Sequence, residues 1–419
     1  MPQSRDVANP EPPAAAQVAM VNSGAAAQGN TGAAPAGSAA RLFLMTNSFE
    51  TGGSERQFSV LARNLNPQQF NLSLGCIRRI GPFANEFGDV PEFDLGGSLY
   101  GLTSIRTRLR LSRFLRQRQI QIAHAFDFYT NLTLIPAARL AGVPVVIGSQ
   151  RQLGDLLTPR QFRAQAAVFR WCDAVICNSR AAADRLAEQG VSPNKLIVVG
   201  NALPAEAFAT APEAVSRKPG VLRVGMVARM NAHYKNHAGF LRIAAAINRN
   251  MPDVEFLLAG DGPLRPEFEQ QARDLAIGSR VMFLGDRRDV PSVLASLDVA
   301  VLTSDSESLS NVILEAMAAG LPVVAYRVGG NAELLDVAPG NAERGILVPA
   351  ADEAAFASAV QRLLSSPSVR SQLGGNARAF AAENFSLESI LARYQDCYRS
   401  LLEKKGVRNS LATWGRREA

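Results

Sequence analysis

Short apolar runs, each followed by a stretch with helical spacing, recur along the whole chain and come in two sets. The first set is 42–45, 72–77, 120–125, 143–147, 174–177 and 196–199. The second is 222–227, 254–259, 281–284, 299–302, 322–325 and 345–348. Runs this short and this apolar are strands buried on both faces. Strands that alternate with helices build a parallel sheet covered on both sides. Helical spacing over 55–64, 130–141 and 159–171 supplies such covers. A segment carrying Pro204, Pro212 and Pro219 interrupts the rhythm once and reads as a linker. The fold class is therefore α/β, with two doubly wound, Rossmann-like domains. The reading is a leader (1–40), a first domain (41–205), a linker (206–220), a second domain (221–386), an amphipathic helix returning to the first domain (387–403) and a basic tail (404–419). The 419 residues suit two such domains. Sheets of this kind bind ligands beyond the carboxyl ends of their strands, so the cleft between the domains is the place to look.

Composition removes several classes of function. The four cysteines, Cys76, Cys172, Cys177 and Cys397, form no Cys-x-x-Cys pair, and there are three histidines, which disfavours a zinc site or a disulfide framework. No run of eighteen apolar residues offers a membrane span. The first forty residues, rich in Ala, Pro, Gly, Ser and Asn, read as a disordered leader without the apolar stretch of a secretory signal. Between 41 and 200 there are 19 Lys/Arg against 11 Asp/Glu, an excess larger than the net +7 of the whole chain. It is densest at Arg106, Arg108, Arg110, Arg113, Arg116 and Arg118, among Ile105, Leu109, Phe114 and Leu115. That pattern fits a basic amphipathic helix on an anionic membrane or opposite an anionic acceptor, and equally a solvated helix face. Few aromatics and no groove-reading motif argue against nucleic acid.

The segment from Glu307 to Pro322 carries the most chemistry. Glu307 and Glu315 stand eight apart. Ser310 and Asn311 suit a loop and N-cap, with a helix over 311–319 that Gly320 and Pro322 end. Glu315 then lies one turn into the helix and can accept two hydroxyl hydrogen bonds, while Glu307 lies on the loop before it. Arg229 and Lys235 follow a strand, where a βα loop aims cations at the cleft, although exposed surface cations would show the same spacing.

The segment resembles the Glu-x7-Glu motif of the retaining glycosyltransferases of family four, which have the two-domain architecture called GT-B. Other motifs follow in register: Arg229 with Lys235, the turn Ala259-Gly260-Asp261-Gly262-Pro263, the stretch from Phe283 through Gly285, Asp286, Arg287 and Asp289, the turn Gly329-Gly330 with Glu333, and the glycine loop Gly52-Gly53 with Glu55 and Arg56. The resemblance covers about 41–402. It implies transfer of a sugar from a nucleotide-sugar donor to a glycan or lipid-linked acceptor, with retention. It assigns Arg229 and Lys235 to the diphosphate, Glu315 to the ribose and Glu307 to the donor sugar. Gly53, Gly262, Asp286, Arg287, Ser310 and Asn311 join the donor side. Both glycines of the 260–262 turn read first as structural, and Glu333 reads first as a supporting carboxylate, with a helix cap as the near alternative. A departing diphosphate needs cations, a metal or oriented N–H groups. No Asp-x-Asp stands in a loop fit for a metal, so the expectation is a metal-independent enzyme without a cofactor.

On the acceptor side the candidates are Asp127, Arg151 and Asn178, each after a strand of the first domain. His124 is a catalytic candidate, but many family members have His-x-His here and this chain has Phe126 at the second place. His124 therefore reads evenly as a site residue or a satisfied core histidine. An epimerase or phosphorylase of the same fold, and a silent carbohydrate-binding partner, are the alternatives. No Gly-x-Gly-x-x-Gly follows the first strand of either domain, which disfavours a dinucleotide oxidoreductase. The basic first half suggests a lipid-linked or phosphorylated acceptor, in envelope or exopolysaccharide synthesis at the inner face of the cytoplasmic membrane.

Overall fold

The first strand of the chain, β1 (Ala40–Thr46), is buried almost throughout, as a strand covered by helices on both faces must be. The computed structural model describes residues 39–50, 52–336 and 342–407. The expected leader up to residue 38, Thr51 and the expected basic tail from residue 408 lie outside the described residues. With β1, the strands β2 (Phe70–Cys76), β3 (Ile122–Ala125), β4 (Val145–Gln150), β5 (Ala174–Cys177) and β6 (Leu196–Val198) make a parallel sheet in the order β2-β1-β3-β4-β5-β6. Helices α1 (Gly53–Asn64), α2 (Leu102–Gln117), α3 (Phe128–Ala141), α4 (Pro159–Phe169) and α5 (Arg180–Glu188) connect them.

The second sheet has β7 (Arg223–Val227), β8 (Glu255–Ala259), β9 (Val281–Gly285), β10 (Val299–Leu302), β11 (Val323–Tyr326) and β12 (Ile346–Val348), in the order β12-β11-β10-β7-β8-β9, also parallel. Its helices are α6 (His237–Asn250), α7 (Arg265–Asp274), α8 (Val290–Ala295), α9 (Asn311–Ala318), α10 (Asn331–Leu335), α11 (Glu353–Ser365) and α12 (Pro367–Phe385). The last helix, α13 (Leu387–Lys404), buries Ile390, Tyr394, Cys397, Tyr398, Leu401 and Leu402 in the core of the first sheet. All four cysteines are buried as free thiols.

The chain passes between the two sheets twice, and the crossings lie side by side. Leu203 N–H donates to Phe385 C=O at 2.8 Å, and Leu203 bridges Ser386. The proline-bearing segment is anchored to the second sheet by Arg223, whose buried guanidinium donates to Glu255 (2.8 Å), Val215 C=O (2.6 Å) and Ser216 C=O (2.7 Å). A buried guanidinium needs such a full set of acceptors. Helix α3 begins two residues before the helix read from spacing, because Asp127 and Thr130 form a reciprocal capping box. No helix among the described residues is long and apolar enough to cross a membrane.

Candidate active site

In the second sheet the strand order reverses between β7 and β10, and the loops leaving these strands open a crevice there. Two bonds hold the loops together: Thr303 Oγ1 donates to Asn236 C=O at 2.9 Å, and Asp305 N–H to Tyr234 C=O at 2.8 Å. They bring Lys235 and Glu307 into an ion pair at 2.7 Å. Ser310 then caps α9, accepting from Ile313 N–H at 3.3 Å. That cap sets the helix phase so that Glu315 faces inward, 6% exposed. Burial holds the Glu315 carboxyl above its ordinary range, against a smaller opposing pull from the nearby Arg56 guanidinium. Arg56 belongs to α1, in the opposite half of the molecule, and forms an ion pair with Glu315.

The glycine loop meets α9 at the same place. A Cβ on Gly53 would lie 2.9 Å from Asn311 Nδ2, so any side chain there would crowd the start of the motif helix. Gly262 serves another contact: a Cβ would stand 2.4 Å from the Met230 carbonyl, so this glycine lets its turn pack under the loop that carries Arg229. Arg229 itself is exposed, and its guanidinium makes no hydrogen bond or ion pair with the described residues.

Four side chains join the halves around this point. Ser308 donates to Asn178 Oδ1 at 2.6 Å. Asn201 donates to Asn311 Oδ1 at 2.8 Å and accepts from Arg151 at 2.5 Å. Glu333 accepts from Arg180 N–H at 2.7 Å and Ala181 N–H at 2.8 Å, closing the N-terminus of α5. It is thus a helix cap, though of a helix in the other half. Ser306 donates to Asp155.

A cavity of about 220 Å³ opens on the first-sheet side, lined by Asn47, Glu55, Asp127, Tyr129, Gln150 and Arg151 among others. Here too the strand order reverses, between β1 and β3. Burial raises the Asp127 carboxyl to about 6, against the pull of hydrogen bonds from Thr130 and Asn47 N–H, and burial also raises Glu55. Arg151 lies 4.7 Å over the ring of Phe126, so the place of the usual second histidine holds an apolar platform for a cation. His124 does not reach this cavity. It is fully buried, with Nδ1 at 2.8 Å from Tyr398 Oη and Nε2 at 2.7 Å from Ser149 Oγ. Those partners describe a satisfied core histidine that fixes Ser149 from behind.

Of the residues read from sequence, Lys235, Glu307, Ser310, Asn311, Glu315 and Gly53 converge, with Asn178 and Arg151 joined to them across the cleft. Asp286 and Arg287 follow β9, whose last residue, Gly285, pairs with Gly260, and Arg287 forms an ion pair with Asp289 at 2.6 Å. Arg56 and Asn201 were missed as site residues. The signal for Arg56 was its place one turn after the glycine pair. Asn201 has no local signal, because its partner is 110 residues away.

Two family models match the chain: the glycosyl transferases group 1 model over residues 221–366 and the glycosyltransferase family 4 model over residues 51–207. The lipopolysaccharide core biosynthesis glycosyltransferase LpsE of Rhizobium meliloti is 30% identical over 254 residues, which is 61% of this chain and 69% of that protein. The Escherichia coli UDP-Gal:alpha-D-GlcNAc-diphosphoundecaprenol alpha-1,3-galactosyltransferase is 27% identical over 363 residues, 81% of this chain and 91% of that one. Among solved structures, Anabaena HepE in complex with UDP superposes with a TM-score of 0.73 at 20% identity, over 86% of this chain and 100% of that one. With both halves of its sequence matched and its fold superposing on HepE, the chain belongs to glycosyltransferase family 4 and has the GT-B fold.

Proposed function

We propose that this glycosyltransferase moves a sugar from a nucleotide-sugar donor to a lipid-linked or glycan acceptor of the cell envelope, with retention and without a metal. The observation that carries the reading is the Lys235–Glu307 pair beside inward-facing Glu315, at the crevice between β7 and β10. Glu315 has the depth and the two acceptor oxygens to bind a ribose diol. Glu307, held by Lys235, faces the donor sugar. Lys235, free Arg229 and the first N–H groups of α9 supply positive potential for the diphosphate. Asn178 meets the donor loop at Ser308, and Asp127 and Arg151 line the adjoining cavity, which suits the acceptor.

In the reaction the bond from the anomeric carbon to the diphosphate oxygen breaks. The acceptor hydroxyl oxygen bonds to the same face of that carbon and passes its proton to the leaving diphosphate. Charge stabilisation of the diphosphate is then the main work of the site. The relatives named for lipopolysaccharide core synthesis and for a diphosphoundecaprenol substrate support an envelope role.

Helix α2 supports a lipid-linked acceptor and a station on the inner face of the cytoplasmic membrane. Leu102 is 73% exposed, Ile105 49% and Leu109 41%, with exposed Arg106, Arg110, Arg113 and Arg116 beside them. None of these arginines is paired with a carboxylate among the described residues. Arg108 is half-buried and donates to Leu99 C=O, Ser104 and Leu132 C=O, while Arg110 and Arg116 each donate to one backbone carbonyl, of Glu92 and Leu140. The test of the whole reading is release of nucleoside diphosphate from UDP-, GDP- and ADP-sugars with EDTA present. Turnover of one donor, lost in Glu307→Ala and Lys235→Ala, supports it. Absence of donor binding by calorimetry would overturn it.

A further inference from the structure

Glu315 is nearly buried, and in the structure its ionic partner is Arg56 from the opposite half of the molecule. A buried carboxylate cannot stand alone, and a donor ribose approaching it must take over the place that Arg56 holds. Arg56 is one helical turn past Gly53, and Gly53 abuts Asn311 at the start of α9. A guanidinium released from Glu315 at that point is therefore next to the glycine loop and to the N-terminal N–H groups of α9. Its side chain is 38% exposed, so it has room to turn without unpacking the core.

We propose that Arg56 is a donor-binding residue that exchanges partners. It neutralises Glu315 while the site is empty, and on donor entry it yields Glu315 to the ribose hydroxyls and grips the diphosphate. This rests on Glu315 being the ribose residue. The exchange keeps each charge compensated in both states: Glu315 trades an ion pair for two hydroxyl donors, and Arg56 trades one carboxylate for a phosphate with bidentate geometry. It also links the halves to ligand, because a cation from one half closes on a donor held by the other.

Calorimetry on the full chain with UDP, GDP and ADP, and with the matching nucleosides, separates the two roles. For the base that binds, Arg56→Gln is expected to weaken the diphosphate by about tenfold or more, as for loss of a charge-assisted phosphate contact. The nucleoside, which needs only Glu315, should bind as before or more tightly. Glu315→Gln should do the reverse, weakening nucleoside and diphosphate by the same factor and leaving the gain from the phosphates intact. Equal effects of Arg56→Gln on nucleoside and diphosphate, or a tighter diphosphate, would overturn the exchange and leave Arg56 a plug. If the wild-type chain binds none of the diphosphates, the donor-site reading falls and takes this proposal with it. A single cooperative thermal transition in each variant shows that both are folded, with Arg56→Gln melting lower because it leaves Glu315 without its partner.

Discussion

The Lys235 ammonium stands 2.7 Å from the Glu307 carboxylate, and the two side chains are unequally covered, 22% and 10% exposed. The asymmetry decides what each truncation does. Lys235→Ala leaves the better-buried carboxylate without a partner and should cost about 1–3 kcal/mol of stability. Glu307→Ala leaves an ammonium that can turn to water and should cost less. For turnover the order does not matter. Each single variant is expected to lose about a hundredfold or more in donor turnover, as when an electrostatic contact to the transition state is removed. The double variant should be little worse than the poorer single one, because the pair acts as a unit. Chemical denaturation and turnover on the same three proteins check both orders. Additive losses in turnover would mean that the residues work independently.

Glu333 holds the halves together by capping a helix across the cleft. Its loss in Glu333→Ala should weaken the closed arrangement by about 1 kcal/mol, the usual worth of a helix cap. Such a shift multiplies the open population by about fivefold. Small-angle scattering should show a larger radius of gyration in the variant, and donor turnover should fall while the melting temperature of the second domain holds. An unchanged radius and unchanged turnover would reduce Glu333 to a local cap.

Much of this arrangement was legible in the chain because it is local. The six-and-six strand rhythm is a period of residue type, and Ser310, Gly320 and Pro322 bound α9 by their own conformational chemistry. The placement of Glu315 followed from that boundary alone. What sequence left unread is what distance in the chain conceals. Arg56 meets Glu315 across the two halves, and Asn201 ties Asn311 to Arg151. His124 was open between two roles because a lone histidine at a strand end carries no record of Tyr398, which arrives on the last helix from 274 residues away. Phe126 shows the same limit: its ring under Arg151 is a product of β3 and β4 lying side by side.

Helix α2 offers a membrane test with a built-in charge balance. Each basic residue near an anionic surface contributes about 1 kcal/mol. Reversing two of them, Arg106→Glu with Arg113→Glu, should therefore lower partition onto phosphatidylglycerol vesicles by about thirtyfold or more. Both side chains are exposed, so folding should be unaffected. Raising salt from about 0.1 M to about 1 M shortens the Debye length from about 10 Å to about 3 Å and should release the wild-type chain. Vesicle co-sedimentation reads both effects. Equal binding to neutral phosphatidylcholine vesicles, indifferent to salt, would count against an anionic surface.

Burial also gives His124 a signature in stability against pH. Burial first, and then the nearby Arg151 charge, push this imidazole down to about 3. In the unfolded chain it titrates near its ordinary value, about 6.5. Between those values the unfolded state takes up a proton that the native state refuses, so stability falls as pH drops below about 6.5 and stops falling near 3. From pH 7 to pH 5 the loss from this one group is about 2 kcal/mol. His237, pushed down by burial to about 4, adds a loss of the same sign. A comparison with His124→Asn isolates the first contribution, because His237 is present in both proteins. The variant forfeits the hydrogen bonds to Tyr398 and Ser149, a cost that does not vary with pH. The gap in unfolding free energy between wild type and variant should therefore narrow by about 2 kcal/mol on going from pH 7 to pH 5. A gap that stays constant over that range would mean that His124 charges in the folded protein, and with it that the core around Ser149 admits water.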